Sequence, residues 1–161
     1  HKMQEYINIF TDGSCINNPG KGGYGIIIKL KNKSVILSGG YRLTTNNRME
    51  LISIIVSLQS VLNLNSNITV YTDSIYVQQG ITKWIYVWKT NNWYNSKNKI
   101  IKNIDLWQKL FFLQSNFLIK WIWVKGHSIC SENNYCDKLA YYMANYKPYL
   151  IDTNYEKNIL C

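Results

Sequence analysis

Two segments of this chain end an apolar, β-rich run on an aspartate: Phe10-Thr11-Asp12-Gly13-Ser14 and Tyr71-Thr72-Asp73-Ser74. In open sheets with crossover connections, ligand sites gather at the carboxyl ends of strands. Two neighbouring strands would set Asp12 and Asp73 side by side at such an edge. Crowded carboxylates repel, which is costly unless they hold protons or a cation. Oxygen-only ligands select hard cations such as magnesium or manganese. Two such ions about 4 Å apart can clamp the attacking and leaving oxygens at a phosphorus centre. Either aspartate alone reads as a turn or cap residue; the repeated placement is what points to a site.

The elements that must carry them follow from periodicity. Residues 6–11 read as a strand with Ile7, Ile9 and Thr11 on one face, stopping at Asp12-Gly13. Residues 17–23, rich in Asn, Pro and Gly, read as a turn. Residues 24–31 and 34–42 then read as two further strands of an antiparallel meander. Thr44 or Thr45 caps a helix starting near Asn46, with Met49, Ile52, Val56 and Leu58 or Gln59 on its apolar face. Residues 68–72 form a short strand, reached by a parallel crossover.

From Tyr76 to Leu113 the pattern predicts short helices around a polar loop, 89–102. Residues 117–124 alternate as a strand. A last helix, capped by Ser131 or Asn133, carries Cys136, Leu139, Ala140, Met143 and Ala144 and ends before Pro148. The expectation is one domain over residues 3–147 and a tail over 148–161. The Asn-rich runs read as compositional bias rather than as signals.

A length of 161 residues suits one compact domain, and a formal net charge of +9 favours polyanionic partners. Cys15, Cys130, Cys136 and Cys161 form no C-x-x-C pair, which argues against structural zinc. A disulfide framework is not expected in so large and hydrophobic a chain, so reduced thiols and a cytoplasmic location are. No apolar run is long enough to span a bilayer.

The segments Thr11-Asp12-Gly13-Ser14-Cys15, Asn18-Pro19-Gly20 with Gly22-Gly23-Tyr24-Gly25, and Thr44-Thr45-Asn46-Asn47-Arg48-Met49-Glu50-Leu51 closely resemble bacterial type 1 ribonuclease H. So do Thr72-Asp73-Ser74 with Tyr76-Val77, Trp121-Ile122-Trp123-Val124-Lys125-Gly126-His127, and Glu132-Asn133 with Cys136-Asp137. The segments occur in family order across the chain from Tyr6 to Ala144. The resemblance implies an α/β ribonuclease H-like fold, a mixed five-stranded sheet with helices on both faces. It implies a monomeric endonuclease that hydrolyses the RNA strand of RNA–DNA hybrids by two-metal-ion catalysis. The products carry 5′-phosphate and 3′-hydroxyl ends, and the cofactor is magnesium, with manganese as a substitute.

By the same resemblance Asp12, Glu50, Asp73 and Asp137 are the metal-binding acids, Glu50 from the first turn of its helix. His127 assists proton transfer or product release. Cys15, Asn18, Asn46 and Asn47 contact the two strands, and Thr45 and Ser74 bind a DNA phosphate. A basic protrusion from Trp84 to Lys102 offers Lys89, Lys97, Lys99 and Lys102 to phosphates, on a base packed by Trp84 and Trp88. The chain departs from the family pattern at Ile75, where Gln is common, at Val87 in place of Asn, and at Tyr141 in place of Arg. Asn92 and Asn95 dilute the charge of the protrusion. The competing readings are a catalytically silent hybrid-binding module and another nuclease or integrase-like enzyme on the same fold.

Overall fold

The computed structural model describes residues 5–160 except 65, 96 and 126–129. Strands β1 (Glu5–Cys15), β2 (Gly20–Lys29) and β3 (Ser34–Thr44) form an antiparallel meander. Helix α1 (Asn46–Ser60) leads to β4 (Ser66–Thr72), which pairs parallel with β1. A helical stretch follows, composed of α2 (Ile75–Gln79), a π-helical segment (Gly80–Trp84) and α3 (Ile85–Thr90). Helix α4 (Ile104–Gln114) then precedes β5 (Leu118–Trp123), parallel to β4. Helices α5 (Ser131–Tyr146) and α6 (Thr153–Ile159) close the chain. The sheet order β3-β2-β1-β4-β5 is the expected mixed five-stranded arrangement.

Strand alternation divides the interior into two layers. Ile7 and Ile9 of β1, with Ile26 and Ile28 of β2, face α1 and the main core. Phe10 and Ile27 face the other way and pack on Cys136 of α5. Helices therefore cover both faces. Residues 20–23, expected as part of a turn, belong to β2 instead. Its glycines serve close packing: a Cβ on Gly25 would stand 2.6 Å from the carbonyl oxygen of Cys136.

Two helices differ from expectation. Helix α1 is not a one-sided amphipathic helix, since Arg48 to Ile55, Ser57 and Leu58 are all buried. It lies between the sheet and α4, and a helix buried on all sides loses its apolar stripe. Ser53 and Ser57 are accommodated there because their hydroxyls donate to the carbonyls of Glu50 and Ser53, each at 2.7 Å. Helix α5 starts at Ser131 behind Cys130, so neither expected cap residue occupies the N-cap position.

The segment after Pro148 is structured rather than a tail. Leu150 donates to the Gly40 carbonyl at 2.8 Å and accepts from the Arg42 amide at 2.9 Å, extending the sheet beside β3. Asp152 is buried, caps α6 and takes two bonds from the Arg48 guanidinium, at 2.7 and 2.9 Å. Several asparagines also have a backbone role. Asn17, Asn92, Asn98 and Asn103 adopt φ between 52° and 61°, where asparagine is tolerated better than most residues.

Candidate active site

The site lies where β1 outruns its parallel neighbour. The β1–β4 pairing ends at Phe10 and Tyr71, while β1 continues against β2 as far as Cys15. Asp12 therefore sits inside a strand, not at its end as expected, yet beyond the last β4 rung. Asp73 follows β4 directly. Gly13 lets α1 approach β1, because a Cβ there would lie 2.6 Å from the Glu50 amide nitrogen. That approach sets Glu50 beside Asp12.

Carboxylate oxygens of Asp12, Glu50 and Asp73 lie within 4.8 Å of one another. Asp137 on α5 stands near enough to Asp12 to help raise its pKa but is not one of the three carboxylates that converge within 4.8 Å. Glu50 is the fifth residue of α1, not a first-turn residue, so a helix-dipole role does not explain it. Asp12 is 6% exposed and Glu50 4%. Among the described residues the ion pairs are Lys29–Glu132, Arg42–Glu156, Arg48–Asp105 and Arg48–Asp152, none involving Asp12 or Glu50. Glu50 Oε2 is buried with no hydrogen-bond partner among them.

Burial pushes the Asp12 carboxyl far above the usual range, and the charges of Glu50 and Asp73 push it further. Burial also raises Glu50, with Asp73 adding to it. An oxygen-only cluster, one orphaned buried acceptor and two carboxyls reluctant to ionise together fit a hard divalent cation.

This has a measurable consequence for stability. An acid whose pKa is raised by folding stabilises the fold fully below its unfolded pKa. That contribution is lost as pH rises through the folded pKa. Without divalent ions, Asp12→Asn should therefore melt higher than the wild-type protein at pH 8, and the gain should vanish below about pH 4. Saturating magnesium should raise the wild-type midpoint at pH 8 and leave the variant's nearly unchanged. Equal midpoints for the two proteins across this range would count against the cluster.

The expected strand-contacting residues lie in the β1–β2 loop and at the starts of α1 and α2. Asn18 Oδ1 accepts from the Asn46 amide at 3.0 Å, tying the β1–β2 loop to the start of α1. Thr45 caps α1 by accepting from the Arg48 amide at 3.2 Å. Cys15 Sγ donates to the Thr44 carbonyl at 3.5 Å, and burial raises its pKa. Asn47 lies half-buried beside Asn46. Ser74 caps α2 by accepting from the Val77 amide at 3.2 Å.

Trp84 and Trp88 meet in a tilted contact with ring centroids 5.7 Å apart, and both contact the Tyr76–Trp107 group, so packing occupies them. Lys97, Lys99 and Lys102 are exposed, while Lys89 lies 5.1 Å over the Phe111 ring. His127 falls outside the described residues.

The sequence reading assigned no role to Arg48. Its side chain is 3% exposed and forms paired bonds to Asp105 at 2.9 and 2.7 Å as well as to Asp152. Burial draws the guanidinium pKa down, but these bonds outweigh it and raise the value above the ordinary one. Thr44 donates to Asp152 at 2.7 Å, so the group braces the β3–α1 junction that carries Thr45, Asn46 and Glu50. The available signal was a basic residue at a helix start in a chain with only nine acids.

The RNase H family model matches residues 4–145. The chain belongs to the ribonuclease H family. It is 51% identical over 154 residues to ribonuclease H of Cronobacter sakazakii, covering 96% of each chain. Ribonuclease H of Shewanella denitrificans is 45% identical over 153 residues, 95% of this chain and 96% of its own.

Among solved structures, LC9-RNase H1, described as a type 1 RNase H with the type 2 active-site motif, superposes with a TM-score of 0.79. It is 26% identical, and the match covers 100% of this chain and 83% of that one. LC11-RNase H1, solved in complex with RNA/DNA hybrid, shares the fold at 18% identity and a TM-score of 0.66, over 86% of this chain and 96% of its own. Ribonuclease H is a metal-dependent nuclease of the hydrolase class that cleaves the RNA strand of RNA–DNA hybrids. Among the described residues, no helix is long and apolar enough to cross a membrane.

Proposed function

We propose that Asp12, Glu50, Asp73 and Asp137 jointly hold divalent magnesium, two ions when substrate is present. The proposal places hydrolysis of the RNA strand over this cluster, leaving 5′-phosphate and 3′-hydroxyl ends. The observation that carries it is the convergence of three carboxylates within 4.8 Å, with a buried Glu50 oxygen lacking a partner among the described residues. Magnesium, when bound, supplies polarisation of the scissile phosphate and a nucleophile from water at neutral pH. The chain's part is to hold four acids from four separate elements in fixed positions. Manganese suits the same oxygen donors.

The reading extends to the surface around the cluster. Thr45 and Ser74 accept hydrogen bonds as helix caps and still carry hydroxyl protons to donate to a DNA phosphate. Asn18, Asn46, Asn47 and the backbone at Cys15 supply donors and acceptors for sensing the 2′-hydroxyl. His127 acts in proton transfer near neutral pH. A monomer in the cytoplasm is the working unit. Comparing an RNA–DNA hybrid with duplex RNA and duplex DNA tests the substrate assignment. The hybrid alone should be cut; cleavage of all three at similar rates would overturn it.

Lys89, Lys97, Lys99 and Lys102 are all exposed and follow the aromatic base formed by Trp84 and Trp88. Replacing all four by Ala should raise KM for the hybrid. It should also flatten the log–log dependence of affinity on salt by roughly one unit per lost phosphate contact. The cation–π contact of Lys89 keeps that lysine from contributing fully. Turnover at saturating hybrid should change little, because the acids are untouched. An unaltered salt slope would make the loop a solvated face.

A further inference from the structure

One flank of α5 carries a row of tyrosines that the acid cluster does not use. Tyr135 and Tyr142 are each 46% exposed and Tyr146 is 65% exposed. Residues four and seven apart share a helix face, so the three form one stripe about 16 Å long. The Tyr142 and Tyr146 rings meet in a tilted contact with centroids 5.1 Å apart. Cys136, Ala140 and Ala144 are fully buried on the side of α5 that packs on β1 and β2, which turns the tyrosines outward. Asp137, near Asp12, leaves the same helix on a different face.

Beside Tyr135 the stripe borders a recess of about 410 Å³ between β2, β3 and the start of α5. Ile27, Ile36 and Tyr135 give it an apolar wall, and Ser34 and Ser131 give it hydroxyls. The acid in its lining, Glu132, is neutralised by Lys29 at 2.6 Å. The charge left over is positive. Lys31 and Lys33 on the β2–β3 turn and Lys138 on α5 are exposed, and none joins an ion pair among the described residues.

Aromatic rings in a row beside unpaired cations suit an unpaired nucleic-acid strand, whose bases stack while its phosphates meet the ammonium groups. Two copies of so basic a face repel, which disfavours self-association. An acidic polypeptide would satisfy the lysines but leave the rings without flat partners.

We propose that this flank of α5 binds a single-stranded stretch of nucleic acid, with bases stacked on Tyr135, Tyr142 and Tyr146 and phosphates against Lys31, Lys33 and Lys138. The surface is separate from the acid cluster, so the two stand or fall independently.

The test measures binding of labelled oligodeoxythymidylate and oligouridylate, each about 16 nucleotides long, in a chelator. The full chain carries Ala at Lys89, Lys97, Lys99 and Lys102, so that the other basic surface does not supply the signal. Adding Tyr135→Ala, Tyr142→Ala and Tyr146→Ala together should raise Kd at least about tenfold for both oligonucleotides. Tyr142→Ala alone should raise it about fivefold, the size of one lost stacked base. Phe at all three positions should keep Kd within about twofold, because the rings remain. In the otherwise wild-type chain, the triple Ala variant should cut a blunt-ended hybrid with unchanged kcat and KM. An unchanged Kd in the single and triple Ala variants overturns the proposal. So does an equal loss of affinity for polyglutamate, which would make the face a site for acidic polypeptides. A wild-type dimer in sedimentation that the triple variant dissociates would also overturn it, in favour of contact between copies.

Discussion

Asp12→Asn and Asp73→Asn should each lower single-turnover cleavage of a hybrid by roughly a thousandfold or more, a loss of about 4 kcal/mol in transition-state stabilisation. The amide is nearly isosteric with the carboxylate, so packing around β1 and the end of β4 is preserved. What disappears is the negative charge that retains a hard cation. The loss falls on the rate at saturating hybrid rather than on KM, since the strand-contacting surface is intact. Raising magnesium should recover part of the rate for Asp73→Asn, on the solvent-accessible side of the cluster. It recovers less for Asp12→Asn, whose carboxyl is 6% exposed and stands between Glu50 and Asp137. Near-wild-type turnover in either folded variant at saturating magnesium would remove that residue from the site.

Asp152→Ala is expected to be the most damaging substitution outside the cluster. It removes one of the two carboxylates paired with the buried Arg48 guanidinium and leaves Thr44 without its acceptor. Breaking a buried pair costs about 3–5 kcal/mol, because one charge is stranded. Asp105 remains to compensate Arg48, which argues for the lower end of that range. In a chain of 161 residues, about 3 kcal/mol lowers the midpoint of thermal unfolding by roughly 10 °C. Calorimetry of the wild-type and variant proteins at one pH and salt measures this directly. A shift below about 2 °C would mean that the buried network contributes little net stability.

How far these features could be read in advance varies with how local their causes are. Strand alternation placed Ile7, Ile9 and Thr11 on one buried face without any tertiary information. The cap on α1 was similarly legible, because a hydroxyl accepting from an amide three residues on is a local event. The continuation of β1 past Asp12 was not legible. It depends on β2 persisting as a partner after β4 has turned away. Nor was the burial of α1, since its outer face is covered by α4, some fifty residues later in the chain.

The C-terminal segment shows the same limit in its strongest form. Its anchor is one aspartate whose partner, Arg48, lies 104 residues away, and no periodicity in twelve residues announces such a contact. Of the four acids, Asp12 and Asp73 could be suspected from strand position. Glu50 and Asp137 came only from the family resemblance, because a charge on a helix is ordinarily a solvated one. The structure adds for Glu50 the physical reason: a buried oxygen with no partner among the described residues.

The central claim is that cleavage of the RNA strand depends on a divalent cation held by these acids. The most direct measurement is the initial rate on a hybrid carrying a label on its RNA strand, in magnesium titrated from zero against a chelator. The account predicts no cleavage in the chelator, saturable activation by magnesium, products ending in 5′-phosphate and 3′-hydroxyl, and loss of that activation in Asp12→Asn. Undiminished cleavage in the chelator, or the same magnesium activation in Asp12→Asn as in the wild-type protein, would contradict it.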